Sequence, residues 1–182
     1  MWTAPQNFCS NPLATMKSVI VAISGVNLSH RFVIRELSLY FPAERSHRHY
    51  FFDKPSPLYL SPSNKRTEWY SRVVLGEIGI HQRIPGSLTY RAHRDILAGI
   101  GADHIIICAG HVAHKFLSAA LPYADIVDVQ QRTPNFKFPT TLPEVNCGLK
   151  TGHINRCCSL AKVLFMSNQV EVNDVIFMYS LM

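Results

Sequence analysis

The stretch Ser18-Val19-Ile20-Val21-Ala22-Ile23-Ser24-Gly25-Val26 decides the fold. Val19, Ile20, Val21 and Ile23 are β-branched, and their stiff χ1 suits a pleated strand. Both parities of the run are apolar, so neither face is reserved for water. A strand of this kind belongs in the middle of a sheet that carries helices on both sides. Ser24-Gly25 marks the point where the chain can leave the sheet. The other elements are read outward from this central strand.

Before it, residues 1–17 contain Pro5, Asn11 and Pro12 without a sustained period and read as an N-terminal arm. After it, Asn27 to His30 reads as a turn. Phe32 to Phe41 alternates, with Val33, Leu37, Leu39 and Phe41 on one parity and Ile34, Glu36 and Ser38 on the other. That pattern predicts a second, antiparallel strand, in which the mid-strand Glu36 is expected to be the structural partner of an arginine. A third strand is expected around Tyr50-Phe51-Phe52. Pro55, Pro57 and Pro62 hold the following connection extended. Asn64 is the expected cap of a helix running to Leu75, with Trp69 and Val73 on one face. Ser87 is the expected cap of another, ended by Gly99 to Gly101.

Ile105 to Ala109 is a second run apolar on both parities, followed by a helix over His111 to Leu121 and a short strand over Ile126 to Val129. A strand, helix, strand unit of that length implies parallel pairing with a right-handed crossover. Thr133 to Pro143 is broken by prolines, and a last helix is predicted over Asn155 to Ser167. The expected organisation is an α/β domain over residues 18–168 and a tail over 169–182. Its mixed sheet is a three-strand meander followed by parallel strands, flanked by helices. This order is similar to the ribonuclease H-like fold.

With 47% hydrophobic and 16% charged residues among 182, the composition is that of a folded domain and excludes a disordered chain. No apolar run reaches transmembrane length, so no membrane partner is expected. A basic segment leading into a signal-like apolar core is also lacking. With an odd count of five cysteines, this makes a cytoplasmic or nuclear, non-secreted protein with reduced thiols the simplest expectation. The net charge of +6 makes RNA or DNA a plausible partner. The basic groups gather as Arg45, His47, Arg48 and His49, as Lys65, Arg66 and Arg72, and as Arg91, His93 and Arg94. Phosphates would be held by the arginines and lysines, and Tyr50, Phe51, Trp69 and Tyr70 could offer stacking faces. Phe51 and Trp69 read better as core residues.

Three stretches in sequence resemble the DEDDh 3′-5′ exonuclease superfamily. Val21 to Val26 stands where that family carries Asp-x-Glu at the end of its first strand. Ile106 to Leu117 resembles its later strand and helix, and His153 to Ala161 resembles the His-x4-Asp-Ala segment that opens its last helix. The resemblance implies a two-metal site with magnesium or manganese on four carboxylates. The matched positions here are Ser24, Val26, Ala113 and Cys158, of which none is an acid. His153 alone matches, as the family's general base. The resemblance therefore implies a degenerate, catalytically inactive member. The chain also resembles a group of arthropod and viral proteins through Phe32 to Leu37, Gly110 to Leu117 and the His/Cys segment, which implies a viral or virus-derived protein.

Cys147, His153, Cys157 and Cys158 fall within twelve residues. Zinc favours such ligands, and Cys147, His153 and Cys158 are the expected set, with His111 or Cys108 as the fourth. The plainer reading, one core cysteine and one incidental, is favoured over it, with no cofactor. A cysteine nucleophile with His153 as base lacks an orienting group. His111 and His114 could pair on a helix start but read better as surface residues. Asp53, Asp125 and Asp128 are the acids nearest predicted strand ends, and they could rebuild a metal site only in a different register. The expected function is nucleic-acid binding on a disarmed exonuclease-like fold. The alternatives are an active metal-dependent 3′-5′ exonuclease with displaced ligands, and a protein-interaction module without a nucleic-acid role.

Overall fold

The computed structural model describes residues 17–28, 31–53, 55, 62–73, 87–101, 103–133, 135–147 and 158–169, with only the backbone for 68–73. Strand β1 (Lys17–Leu28) is the centre of a five-stranded sheet. The others are β2 (Arg31–Phe41), β3 (Ser46–Phe51), β4 (His104–Cys108) and β5 (Ile126–Asp128), in the order β3-β2-β1-β4-β5. β1 pairs antiparallel with β2, and β2 with β3. β1 pairs parallel with β4, and β4 with β5. The central position accounts for the doubly apolar sequence of β1: Val19, Ile20 and Val21 are fully buried although they alternate between faces. Each contributes roughly 1.5–3 kcal/mol by leaving water.

Two clusters cover the two faces. On one, Val19, Val21, Ile23, Leu37, Leu39, Ile106 and Cys108 pack against Leu97 and Ile100 of α2 (Ala92–Gly101) and Ala113 and Leu117 of α3 (His111–Ala120). On the other, Ile20, Ala22, Ile105 and Ile107 pack against Leu160, Ala161, Val163 and Met166 of α5 (Ser159–Gln169). Leu142 and Cys147, from the irregular segment before α5, complete that second cluster. Helix α1 (Pro62–Val73) also contacts β1, and the short α4 (Val129–Arg132) follows β5 directly.

The alternation expected for β2 breaks at one residue. Ser24 faces Glu36 and Gly25 faces Ile34, so the register with β1 steps over Arg35. This β-bulge reverses the phase, and Ile34 joins Leu37 and Leu39 while Val33 packs in a small cluster with Val26 and Leu28. Gly25 is required there, because a Cβ would lie 2.1 Å from the Val33 carbonyl oxygen.

Helix starts also differ from the sequence reading. α1 begins at Pro62 rather than after Asn64, a proline at the first turn removing an N–H that would have had no partner. Ser87 is not a helix cap; its hydroxyl donates to Asp53 Oδ1 at 2.6 Å, and Leu88 bridges to Phe52. α5 begins at Ser159, four residues later than expected, leaving Cys158 just outside it. Most of the N-terminal arm, the tail after Gln169, His153, Cys157 and the side chains of Trp69, Tyr70 and Arg72 lie outside the described residues.

Candidate functional site

The bulge sets Glu36 on the sheet face beneath the start of α5, where it is fully buried. A carboxyl can sit there because a helix N-terminus offers N–H groups without intrahelical acceptors. Ser159 N–H donates to Glu36 Oε2 at 2.8 Å across 123 residues of chain. One turn further along α5, Lys162 Nζ donates to Ser24 Oγ at 3.2 Å. Burial nevertheless pushes the Glu36 carboxyl up to about 7, opposed by the Ser159 N–H, then by Lys162, the Ser159 hydroxyl and Arg35. Arg35 acts on Glu36 through its charge, as the weakest of these influences, so the α5 groups rather than an arginine are its main partners.

Ser38 lies two residues along the same face. Its hydroxyl shares hydrogen bonds with Ser159 Oγ at 2.8 Å and with His49 Nδ1 at 2.6 Å. His49 comes from β3, directly opposite Ser38 in the ladder, and its ring edge packs on Phe51 at 4.5 Å between centroids. The other ring nitrogen, Nε2, faces Glu36 Oε1 at 3.8 Å. Cys147 and Cys158 close the group: their sulfurs and a His49 ring nitrogen all lie within 4.8 Å of one another. Both thiols are buried. Burial first, then the nearby Glu36 charge and Cys147, push the Cys158 thiol up to about 12. A thiol so held is not a nucleophile at neutral pH. The cluster joins two soft sulfur groups, an imidazole and a carboxyl.

Of the residues expected to hold zinc, Cys147 and Cys158 are brought together, and His49 stands third. His153 lies outside the described residues. Cys108 cannot supply a further ligand, because it packs in the cluster on the opposite face of the sheet. His111 opens α3, which covers that same opposite face, and is exposed. The acids near strand ends have other work. Asp128 Oδ1 accepts from the N–H groups of Gly110, 2.9 Å, and Gln130, 3.0 Å, and Asp53 accepts from Ser87. Among the positions matched to carboxylates, Ser24 and Cys158 lie beside α5, whereas Ala113 is in the opposite cluster and Val26 in the small one.

The basic residues divide between the two ends of the sheet. Arg91 and Arg94 are exposed at the start of α2, beside Tyr90, whose hydroxyl is pushed by burial above its ordinary pKa against the charges of Arg31, Arg94 and Arg35. Arg45 and Arg48 lie around the turn that leaves β2 at its other end, where the Arg48 guanidinium sits 5.1 Å over the Phe41 ring. The length of β2 separates the two sets by roughly 30 Å at about 3.3 Å per residue. Lys65 and Arg66 are exposed on α1.

Sequence reasoning missed Arg31 and Lys162 and read His49 only as part of a basic patch. Its alternation in β3, with His49 and Phe51 on one parity, was the available signal for an inward-facing histidine. Among the described residues, no helix is long and apolar enough to cross a membrane. No family model matches the chain, and no curated protein matches it.

Proposed function

We propose that this chain is a ribonuclease H-like relative of the DEDDh exonucleases that binds RNA or DNA and lacks two-metal catalysis. The observation that carries the reading is Lys162 at Ser24. The first acid position of the resemblance holds a hydroxyl, and an ammonium donates to it at 3.2 Å. A fixed positive charge at that point opposes a divalent cation, and the hydroxyl lacks the negative charge that would bind one. The sheet order, an antiparallel meander extended by parallel strands, supports the fold assignment. Nucleic-acid binding rests on the exposed Arg31 and Arg94, whose charges act on the half-buried Tyr90, and on the adjacent exposed Arg91, groups able to hold phosphates. Among the described residues, the exposed large apolar side chains, Leu88, Val112 and Tyr123, are spread over separate segments and favour a protein-docking role less.

The test incubates the purified protein with 5′-labelled single-stranded RNA and manganese and resolves it on denaturing and native gels. The expected result is intact RNA that is retarded. Arg94→Ala weakens retardation and lowers the salt slope of log K by about 0.7, the loss of one phosphate contact on a single strand. Arg45→Ala, at the far end of the sheet, changes it little. A ladder of shortened products refutes the inactive assignment. Intact RNA without retardation refutes the nucleic-acid reading and leaves the interaction module.

A further inference from the structure

We infer that His49, Cys147 and Cys158 form a structural zinc site, with Glu36 supplying the fourth ligand. The argument is independent of nucleic-acid binding. Two regions far apart in sequence converge here: His49 comes from the edge strand β3, and Cys147 and Cys158, the residue before α5, come from a region roughly a hundred residues later. Zn–N bonds of about 2.0 Å and Zn–S bonds of about 2.3 Å place tetrahedral ligand atoms about 3.3–3.8 Å apart. The three ligand atoms lie within 4.8 Å of one another, and Glu36 Oε1 lies 3.8 Å from His49 Nε2. The two sulfurs and the histidine nitrogen need only small side-chain rotations to close on one ion, whereas Glu36 lies outside that set of three and its carboxylate must swing further to complete the shell.

Three further features fit a metal. Ser38 holds His49 Nδ1 and is itself held by Ser159, so the ring is oriented by its second nitrogen and Nε2 is turned toward the cluster. That is the arrangement by which metal-binding histidines are fixed. Ser159 N–H likewise holds the far oxygen of Glu36. The site is closed, with Cys158 fully buried and the His49 side chain 10% exposed, as structural zinc sites are and catalytic ones are not. On binding, each thiol releases its proton to solvent, and zinc balances the two thiolates. The carboxylate leaves one negative charge, which Lys162 offsets from α5. Thiolate ligands select zinc over magnesium or calcium. The metal would tie β3 and the segment that carries Cys147 to the start of α5.

Metal content and thermal unfolding of the full chain, prepared with and without chelator, test the inference, together with cobalt substitution. The expected result is one zinc per chain, a lower melting temperature after chelation, and recovery with added zinc alone. Cobalt-loaded protein should show a thiolate-to-cobalt charge-transfer band in the near ultraviolet. Cys147→Ser weakens that band, His49→Cys strengthens it by adding a thiolate, and Cys108→Ser and Cys157→Ser leave it unchanged. Because Cys147→Ser could fail to fold, alkylation of the wild-type chain provides the second readout: zinc shields Cys147 and Cys158. Failure of the wild-type chain to take up stoichiometric zinc overturns the site. So does a disulfide between Cys147 and Cys158 in its place. A band that ignores His49→Cys but disappears in His153→Ala or Cys157→Ser places the ligands elsewhere and also overturns it.

Discussion

Replacing Gly25 by alanine tests the bulge on which the buried Glu36 depends. The added Cβ would stand 2.1 Å from the Val33 carbonyl oxygen and 2.9 Å from both the Val33 carbonyl carbon and the Phe32 ring, where real contacts essentially never fall below 3.0 Å. The nearest obstacle is backbone of the paired strand, so no side-chain rotation relieves it, and β1 and β2 must separate by about 1 Å. Overpacking of a well-packed interior costs about 1–3 kcal/mol, and displaced backbone puts this case at the upper end. At about 2–4 °C per kcal/mol for a chain of this size, the melting temperature falls by roughly 6–12 °C. Gly99 on α2 is the internal control, because nothing lies within 4 Å of the place its Cβ would take. Gly99→Ala should stabilise the helix by about 0.5–1 kcal/mol. Thermal and urea unfolding followed by circular dichroism measure both. A Gly25→Ala protein that melts within about 1 °C of wild type, or both variants shifting in one direction, refutes the bulge argument.

His93 gives the pH dependence. It is enclosed by the rings of Phe52, Tyr90 and Phe116, and its Nδ1 bonds the Tyr90 carbonyl oxygen. Burial holds its pKa below the usual 6.5. The unfolded chain therefore takes up this proton first as pH falls, and the His93 contribution to stability declines from about pH 6.5 downward. It runs against the opposite slope of Glu36, whose raised pKa makes the folded chain bind its proton first. His93→Gln should remove the His93 contribution, so that stability in urea titrations rises more, or falls less, than in wild type as pH is lowered across this range, and an unchanged slope refutes the assignment. Asp128→Ala strips the acceptor from the Gly110 and Gln130 N–H groups and should cost about 2–3 kcal/mol by urea unfolding, with Asp128→Asn costing less because an oxygen acceptor remains. Equal losses in the two variants would mean that the charge, not the acceptor, matters. Leu97→Ala, truncating a fully buried α2 side chain, should cost about 2–5 kcal/mol. A loss below about 1 kcal/mol would place Leu97 outside the core.

The sequence by itself determined the layered α/β arrangement. The β-branched, doubly apolar runs at Val19–Ile23 and Ile105–Ile107 can satisfy both faces only inside a helix-covered sheet, and β1 and β4 are such strands. Strand, helix, strand spacing likewise set the parallel pairing of β4 with β5. These are local properties, carried by side-chain periods of a few residues. Tertiary structure alone decided the bulge at Arg35, because an inserted residue is visible only against the partner strand. It alone decided which face each described cysteine meets, and so separated Cys108 from Cys147 and Cys158. It also brought Ser38 to Ser159 across 121 residues and His49 to the two thiols. Contacts over such separations follow from how α5 lies across the sheet, and no local period encodes that placement.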